Sequence, residues 1–293
     1  MIKFSHYSSL YLKFKKQDLK PSTLDKYTNI IRDRIVPTFG DMEVSSIKVS
    51  TVKSWLYDLE DLGSKSKRIY LSVLRGIFQE ALYDEVIQKN PVNNIKLPKL
   101  FTSKIKPFNS DEVSKLMSLI KNENYKYYLA VAFYTGMRSG EIIALKKSDI
   151  NFDKNIITVQ RSRSRYGEST PKTRTSVREI PIIQLLKPFI TELYELHDNE
   201  YLFITQYKKP YRDIHSFAEN FWKPAFKELG IEYRRPYNTR HTYATNMLYN
   251  NLVTPVQLAQ LLGHANTQMV YDVYVNYIDR FNDNFDLSIS IYK

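Results

Sequence analysis

Cysteine is absent from the 293 residues, which excludes disulfides, thiolate nucleophiles and every cysteine-based zinc site. Histidine is scarce. The five present, His6, His197, His215, His241 and His264, form no H-x-x-x-H or H-x-H pair, so a histidine-rich metal centre is not expected. No apolar run approaches the roughly 18 residues of a membrane span. The opening Met1-Ile-Lys-Phe-Ser leads straight into polar, patterned sequence rather than a signal peptide. Internal repeats and low-complexity segments are also lacking. These absences point to a soluble, cytoplasmic chain without a cysteine- or histidine-rich metal centre.

The excess is one of positive charge. Lys and Arg number 43 against 31 Asp and Glu, a net +12. With 43% hydrophobic and 25% charged residues the chain reads as globular, and its length suggests about two domains. A basic surface favours partners made of phosphate, through charge neutralisation and counterion release. From charge alone, a merely basic protein remains the equal alternative. Tyrosine is also abundant, 23 against only 8 glycines. Aromatic rings stack on bases, but so many belong mostly to core and surface.

The first ~90 residues read as helices joined by short turns. Ser22 to Asp25 forms a capping-box pattern after Pro21, followed by Leu24, Tyr27, Ile30 and Ile31 at helical spacing, with a break expected at Pro37 to Gly40. Ser50 is a candidate cap for a second helix bearing Val52, Trp55, Leu56 and Leu59. Gly63 leads into a third, with the stripe Tyr70, Val73, Leu74, Ile77, Phe78, Ala81 and Leu82. At its start Lys65, Lys67 and Arg68 are candidate phosphate contacts, against the alternative of a solvated helix end. Residues 91–107 carry three prolines and four lysines and read as a linker. Beyond it, Asn109 to Glu112 opens a new helix. One β region is expected, Asn155 to Gln160 and Ser176 to Ile183, flanking a basic turn. The expected organisation is a helical domain over 1–90, the linker over 91–107, and a larger, mostly α domain with a small antiparallel sheet over 108–293.

Four segments are candidates for chemistry. Tyr134-Thr-Gly-Met-Arg-Ser-Gly-Glu-Ile142 places Arg138 at a glycine-permitted turn between apolar helices, where a guanidinium fork suits two phosphate oxygens; alone, Arg138 could simply pair with Glu141. Pro171-Lys-Thr-Arg-Thr-Ser-Val-Arg-Glu-Ile-Pro181 is a basic hairpin segment preceded by Arg161, Arg163 and Arg165. Its Lys172 is a candidate proton donor if desolvated, and otherwise a solvated cation. Tyr237-Asn-Thr-Arg-His-Thr-Tyr-Ala-Thr245 and Leu262-Gly-His264 follow, with Tyr274 ten residues beyond His264.

Thr-Gly-Met-Arg-Ser-Gly-Glu, Pro-Lys-Thr, Asn-Thr-Arg-His-Thr and Leu-Gly-His followed by Tyr resemble, in this order, the motif set of the tyrosine recombinases, the phage-integrase family. The resemblance covers about 108–280, and the N-terminal helices more loosely resemble that family's core-site-binding, SAM-like domain. It implies the DNA breaking-rejoining fold and a site-specific recombinase of double-stranded DNA. Such an enzyme acts as a homotetramer through a Holliday junction, without metal or ATP, sometimes with accessory DNA-bending or directionality proteins. By the same resemblance Arg138 and Arg240 clamp the scissile phosphate, Lys172 protonates the departing 5′ oxygen, His264 hydrogen-bonds the phosphate, and Tyr274 is the nucleophile. Tyr271 and Tyr277 lie three residues to either side, about 60° around a helix. Only Tyr274, however, falls at the family's usual interval from the histidine. Arg174 joins Lys65, Lys67, Arg68, Arg161, Arg163 and Arg165 as candidate DNA contacts.

One position departs from the pattern. Tyr237 stands where the family most often has histidine, and a phenol donates a hydrogen bond but carries no positive charge. Tyr237 reads as a phosphate ligand, against packing filler or a degenerate site. His241 resembles a structural histidine, expected to be buried and hydrogen-bonded rather than catalytic. At the C-terminus Leu287, Ile289 and Ile291 alternate with Ser288, Ser290 and Tyr292, the period of an edge strand; the family resemblance implies a tail that docks on a neighbouring subunit, against the alternative of a frayed terminus. Mobile-element integration, chromosome-dimer resolution and a catalytically inactive DNA-binding regulator are the jobs the fold allows, the first being preferred.

Overall fold

The computed structural model describes residues 1–98, 105–169 and 176–274. It divides into two compact units, Met1–Ser103 and Lys104–Lys293.

The first unit is helical: α1 (Phe4–Asp18), α2 (Pro21–Ile30), α3 (Val36–Phe39), α4 (Val49–Asp58) and α5 (Ser64–Tyr83). Every apolar stripe turns to one core, centred on Phe4, Tyr7, Ile35, Phe39, Val52, Leu74, Ile77 and Phe78. Two N-termini differ from expectation. Pro21 itself occupies the first turn of α2, where its missing N–H costs nothing, and no side chain caps that helix. Likewise α4 begins at Val49, without a cap from Ser50. Pro37 does not end its helix either. The turn Ile31–Ile35 widens into a π-helix, Val36 N–H donating to the Ile31 carbonyl, and the chain runs through Pro37 to Phe39. The wider turn relieves the clash of the pyrrolidine ring with the preceding carbonyls. The same device recurs at Ala218–Trp222, just before Pro224. Val92 and Ile95, in the stretch read as a linker, are buried in the first core.

The second unit comprises α6 (Ser110–Ser118), α7 (Glu123–Thr135), α8 (Ser139–Ile142), β1 (Ile150–Asn151), β2 (Ile156–Val159), β3 (Ser162–Ser164), β4 (Gly167–Ser169), β5 (Arg178–Pro181), α9 (Lys187–Glu195), α10 (His215–Phe217), α11 (Lys223–Leu229), α12 (Asn238–Tyr249), α13 (Pro255–Leu262) and α14 (Gln268–Val273). The Asn109–Glu112 capping box is formed: Glu112 N–H donates to Asn109 Oδ1 at 2.8 Å and Asn109 N–H to Glu112 Oε2 at 3.0 Å. Antiparallel strands order as β1-β2-β5, with Ile157 opposite Ile180 on the buried face. The basic turn between β2 and β5 contains a further hairpin, β3-β4, with Gly167 at φ 99°. Its polar residues carry no alternating apolar face, so nothing in the sequence announced strands there. α7, almost wholly buried, runs through a core in which Phe108, Phe133, Trp222 and Phe226 pack edge to face.

Candidate active site

Helix ends build the site. α7 stops at Gly136, whose left-handed φ of 62° turns the chain so that Arg138 leads into α8. α13 stops at Gly263, φ 65°, and the His264 N–H reaches back to the Ala259 carbonyl at 2.9 Å. Between them Arg240, on the first turn of α12, is fully buried. Its Nη1 donates to the Gly136 carbonyl at 2.8 Å, and Nη2 to the Leu262 carbonyl at 2.7 Å. Both acceptors are carbonyls of helix C-termini, whose partial negative charge compensates a desolvated cation. Burial first, then the like charge of Arg138, pushes this guanidinium down to about 10, still charged at neutral pH.

Nη2 of Arg240 also lies 2.9 Å from His264 Nε2. A guanidinium only donates, so Nε2 must accept, which assigns the His264 proton to Nδ1. Burial and the charges of Arg240, Arg138 and Arg178 push His264 down to about 4, keeping it neutral. Two buried polar atoms here have no partner among the described residues, His264 Nδ1 and Arg240 Nε. Both are donors, an arrangement that an anion's oxygens would complete.

Arg138 pairs with Glu141, Nη1 to Oε1 at 2.8 Å, while its backbone N–H donates to Oε2 at 2.9 Å. Glu141 is itself buried and takes a second arginine: Arg178, on β5, donates Nη2 to Oε2 at 2.8 Å and Nη1 to Oε1 at 3.2 Å. Burial pushes the Glu141 carboxyl up. The hydrogen bonds and charges of Arg178 and Arg138 outweigh that and hold it below the usual carboxylate range. Arg178 Nε also binds the Leu261 carbonyl at 2.6 Å, one residue before the carbonyl that Arg240 uses. The last turn of α13 thus anchors two arginines. Sequence reading gave Arg178 no role, because its partner lies 37 residues away on another element.

Tyr274, at the C-terminal end of α14, is buried at 2% exposure, and its hydroxyl lies 3.0 Å from His241 Nδ1. Burial pushes the phenol up to about 12, against the opposing pull of Arg240 and Arg138. Tyr271 is 45% exposed on the same helix, whereas Tyr277 lies outside the described residues. Tyr237, 44% exposed, sits at the N-terminal end of α12, its ring edge-on to His241 at 5.0 Å. His241 is half-buried and hydrogen-bonded as expected, but its partner is the candidate nucleophile.

Lys172 and Arg174 lie outside the described residues, as does the tail from Leu287 to Tyr292. Several other basic candidates are engaged within the fold. Lys67 donates to the Leu56 carbonyl at 2.8 Å, and Arg68 to the carbonyls of Leu97 and Pro98. Arg161 pairs with buried Asp149 at 2.5 Å. Arg163 lies over the Tyr201 ring, and Arg165 over that of Tyr166. Lys65 is exposed.

A mostly helical unit with buried arginines, a neutral histidine and a docked tyrosine defines a class, the tyrosine recombinases. The chain belongs to the phage integrase family: the description "Phage integrase family" matches residues 106–280, and "Phage integrase, N-terminal SAM-like domain" matches 3–59. Among curated relatives, the XerC-like tyrosine recombinase of Caldanaerobacter subterraneus subsp. tengcongensis is 27% identical over 304 residues, covering 90% of this chain and 76% of that one. The ICEBs1 integrase of Bacillus subtilis is 29% identical over 191 residues, 62% of this chain, which spans about half (51%) of that relative's length. The fold is shared with the Tn1549 transposon integrase in complex with circular intermediate DNA (TM-score 0.80, 20% identity, 94% of this chain and 95% of that one). It is shared too with a lambda integrase tetramer bound to a Holliday junction (TM-score 0.76, 20% identity, 91% and 79%). Among the described residues no helix is long and apolar enough to cross a membrane.

Proposed function

We propose that this protein is a site-specific DNA recombinase of a phage or mobile element, acting in the cytoplasm of a bacterial host, which cuts and rejoins duplex DNA through a covalent link to Tyr274. The observation that carries this reading is the placement of two adjacent residues of α12: Arg240, with an unpaired buried Nε, and His241, bonded to the Tyr274 hydroxyl. A phosphodiester would take its non-bridging oxygens to Arg138, Arg240 Nε and His264 Nδ1–H, with the exposed Tyr237 phenol as a further donor. Preformed cations and N–H groups stabilise the charge that grows on those oxygens at the transition state.

The resting phenol is protonated and a poor nucleophile. The same arginines that bind the phosphate pull its proton affinity down once attack begins. Tyr274 Oη then loses its proton to solvent water as it bonds to phosphorus, and the P–O5′ bond breaks. The 5′ oxygen leaves as a hydroxyl after protonation, which the family resemblance assigns to Lys172. The phosphotyrosyl link conserves the energy of the broken bond, so rejoining is the same step reversed and no ATP is consumed. In a homotetramer on DNA, two rounds would pass through a Holliday junction, as suits a fold shared with an integrase tetramer on such a junction. The integrase of ICEBs1 and that of transposon Tn1549 favour mobile-element integration over chromosome-dimer resolution.

Covalent trapping tests this. Nicked suicide duplexes covering candidate attachment sites, incubated in EDTA and run on denaturing gels, should give an adduct that mass spectrometry maps to Tyr274 and that Tyr274→Phe abolishes. Tyr237→Phe should slow adduct formation roughly 10- to 100-fold, less than loss of a buried oxyanion donor. Specific binding without any adduct would replace the recombinase with an inactive regulator on the same fold.

A further inference from the structure

We propose that His241 is a positioning residue for the nucleophile: its Nδ1 accepts the Tyr274 hydroxyl and holds the attacking oxygen in register with Arg240. This rests on the recombinase reading above and gives a role at the site to a residue that the sequence presents as a structural histidine.

The argument begins with tethering. α14 has six residues, and the backbone bond from Tyr274 N–H to the Val270 carbonyl, 2.8 Å, fixes the main chain but not the ring's rotation or the direction of the O–H. The hydroxyl therefore needs a second anchor, and at 3.0 Å His241 Nδ1 supplies one. His241 follows Arg240 directly on α12, so the residue that holds the nucleophile's oxygen and the one that carries the phosphate-binding guanidinium share one helical turn. The imidazole is itself held between two phenol rings, that of Tyr237 at 5.0 Å and that of Tyr274 at 5.7 Å.

Charge is compatible with a bond in this direction. Burial, and then the charge of Arg240, push His241 down to about 4, so the ring is neutral at pH 7. The Tyr274 phenol, pushed up to about 12, is protonated. In the direction proposed the protonated phenol donates to the neutral imidazole, with the acceptor at Nδ1 and the ring proton on Nε2. An imidazole so reluctant to protonate beside Arg240 is a weak proton acceptor in the chemical step, which makes orientation rather than base catalysis its contribution. With its hydrogen committed to His241, the Tyr274 oxygen keeps its lone pairs for phosphorus.

Three variants of the full chain separate this role from simple packing. His241→Asn keeps an acceptor near the Nδ1 position, His241→Gln moves it towards Nε2, and His241→Leu keeps volume without an acceptor. Single-turnover adduct formation on the suicide duplex, DNA affinity and melting temperature are read for each. His241→Leu and His241→Gln should cleave about 10- to 100-fold more slowly at unchanged DNA affinity, with His241→Asn recovering to within about fivefold of wild type. Wild-type cleavage by His241→Leu overturns the proposal. So does equally slow cleavage by His241→Asn and His241→Gln when both melt like wild type, because the acceptor's place would then not matter. Should His241→Leu fail to fold, the comparison of Asn with Gln still decides. Absence of an adduct in the wild type overturns instead the recombinase reading, and this inference with it.

Discussion

The Glu141 carboxylate is ionised although buried, because Arg178 grips both its oxygens and Arg138 adds a third charged contact. Only the second of these pairings is visible in the sequence, where Arg138 and Glu141 stand three apart at a turn. The Arg178 contact needs β5 to lie beside α8. Removing one partner of a buried ion pair leaves the other charged and unsolvated, so Glu141→Ala should destabilise the second unit by about 3–5 kcal/mol, read from urea unfolding. A loss below about 1 kcal/mol, the scale of exposed ion pairs, would show that water reaches Arg178. The residues proposed to act on DNA were legible for the opposite reason. Arg138, Arg240, His264 and Tyr274 sit in short motifs whose glycines and spacing are fixed by local geometry. The carbonyls of Gly136 and Leu262 that hold Arg240 were not legible, since every residue has one.

Elements with an apolar stripe were legible and those without were not. α5 buries Val73, Leu74, Ile77, Phe78 and Ala81 as its spacing requires. α12 shows no clean stripe because Thr239, Arg240 and Thr242 are buried polar residues that serve the site and its surroundings. Helix ends carry more of the design than helix faces, and glycine tests this. Gly136 and Gly230 both end helices at positive φ, 62° and 63°. A Cβ at Gly136 would stand 2.5 Å from Tyr243 Cδ1, whereas one at Gly230 would meet nothing within 4 Å. Gly230→Ala should therefore cost only the left-handed backbone, about 1–2 kcal/mol, and leave cleavage intact. Gly136→Ala should cost more and also slow adduct formation, because it displaces a carbonyl bound to Arg240. Equal stability losses with equal cleavage would mean that Tyr243 yields and the Arg240 anchor is untouched.

Across the whole chain the titrating groups are unevenly distributed. The two imidazoles pushed down to about 4, His241 and His264, both lie in the second unit. A histidine whose folded value is depressed leaves the unfolded chain holding more protons between about 6.5, the unfolded value, and about 4. Stability is complete above that window and falls as pH drops through it. Glu141, also held low, acts in the same sense further into acid, losing its contribution as pH falls below the ordinary carboxylate range. The net charge of +12 adds repulsion in both units and does not distinguish them. Each unit happens to carry one tryptophan, Trp55 in the first and Trp222 in the second, both buried. Trp55→Phe leaves fluorescence to Trp222, and Trp222→Phe leaves it to Trp55. Between pH 6.5 and 4, the thermal midpoint reported by Trp222 should fall steadily, and that reported by Trp55 should fall less. Matching declines would mean that the units unfold as one cooperative body. A Trp222 midpoint that stays level across the window would show that these histidines are not held neutral, and would contradict the assignment of His264 Nε2 as an acceptor from Arg240.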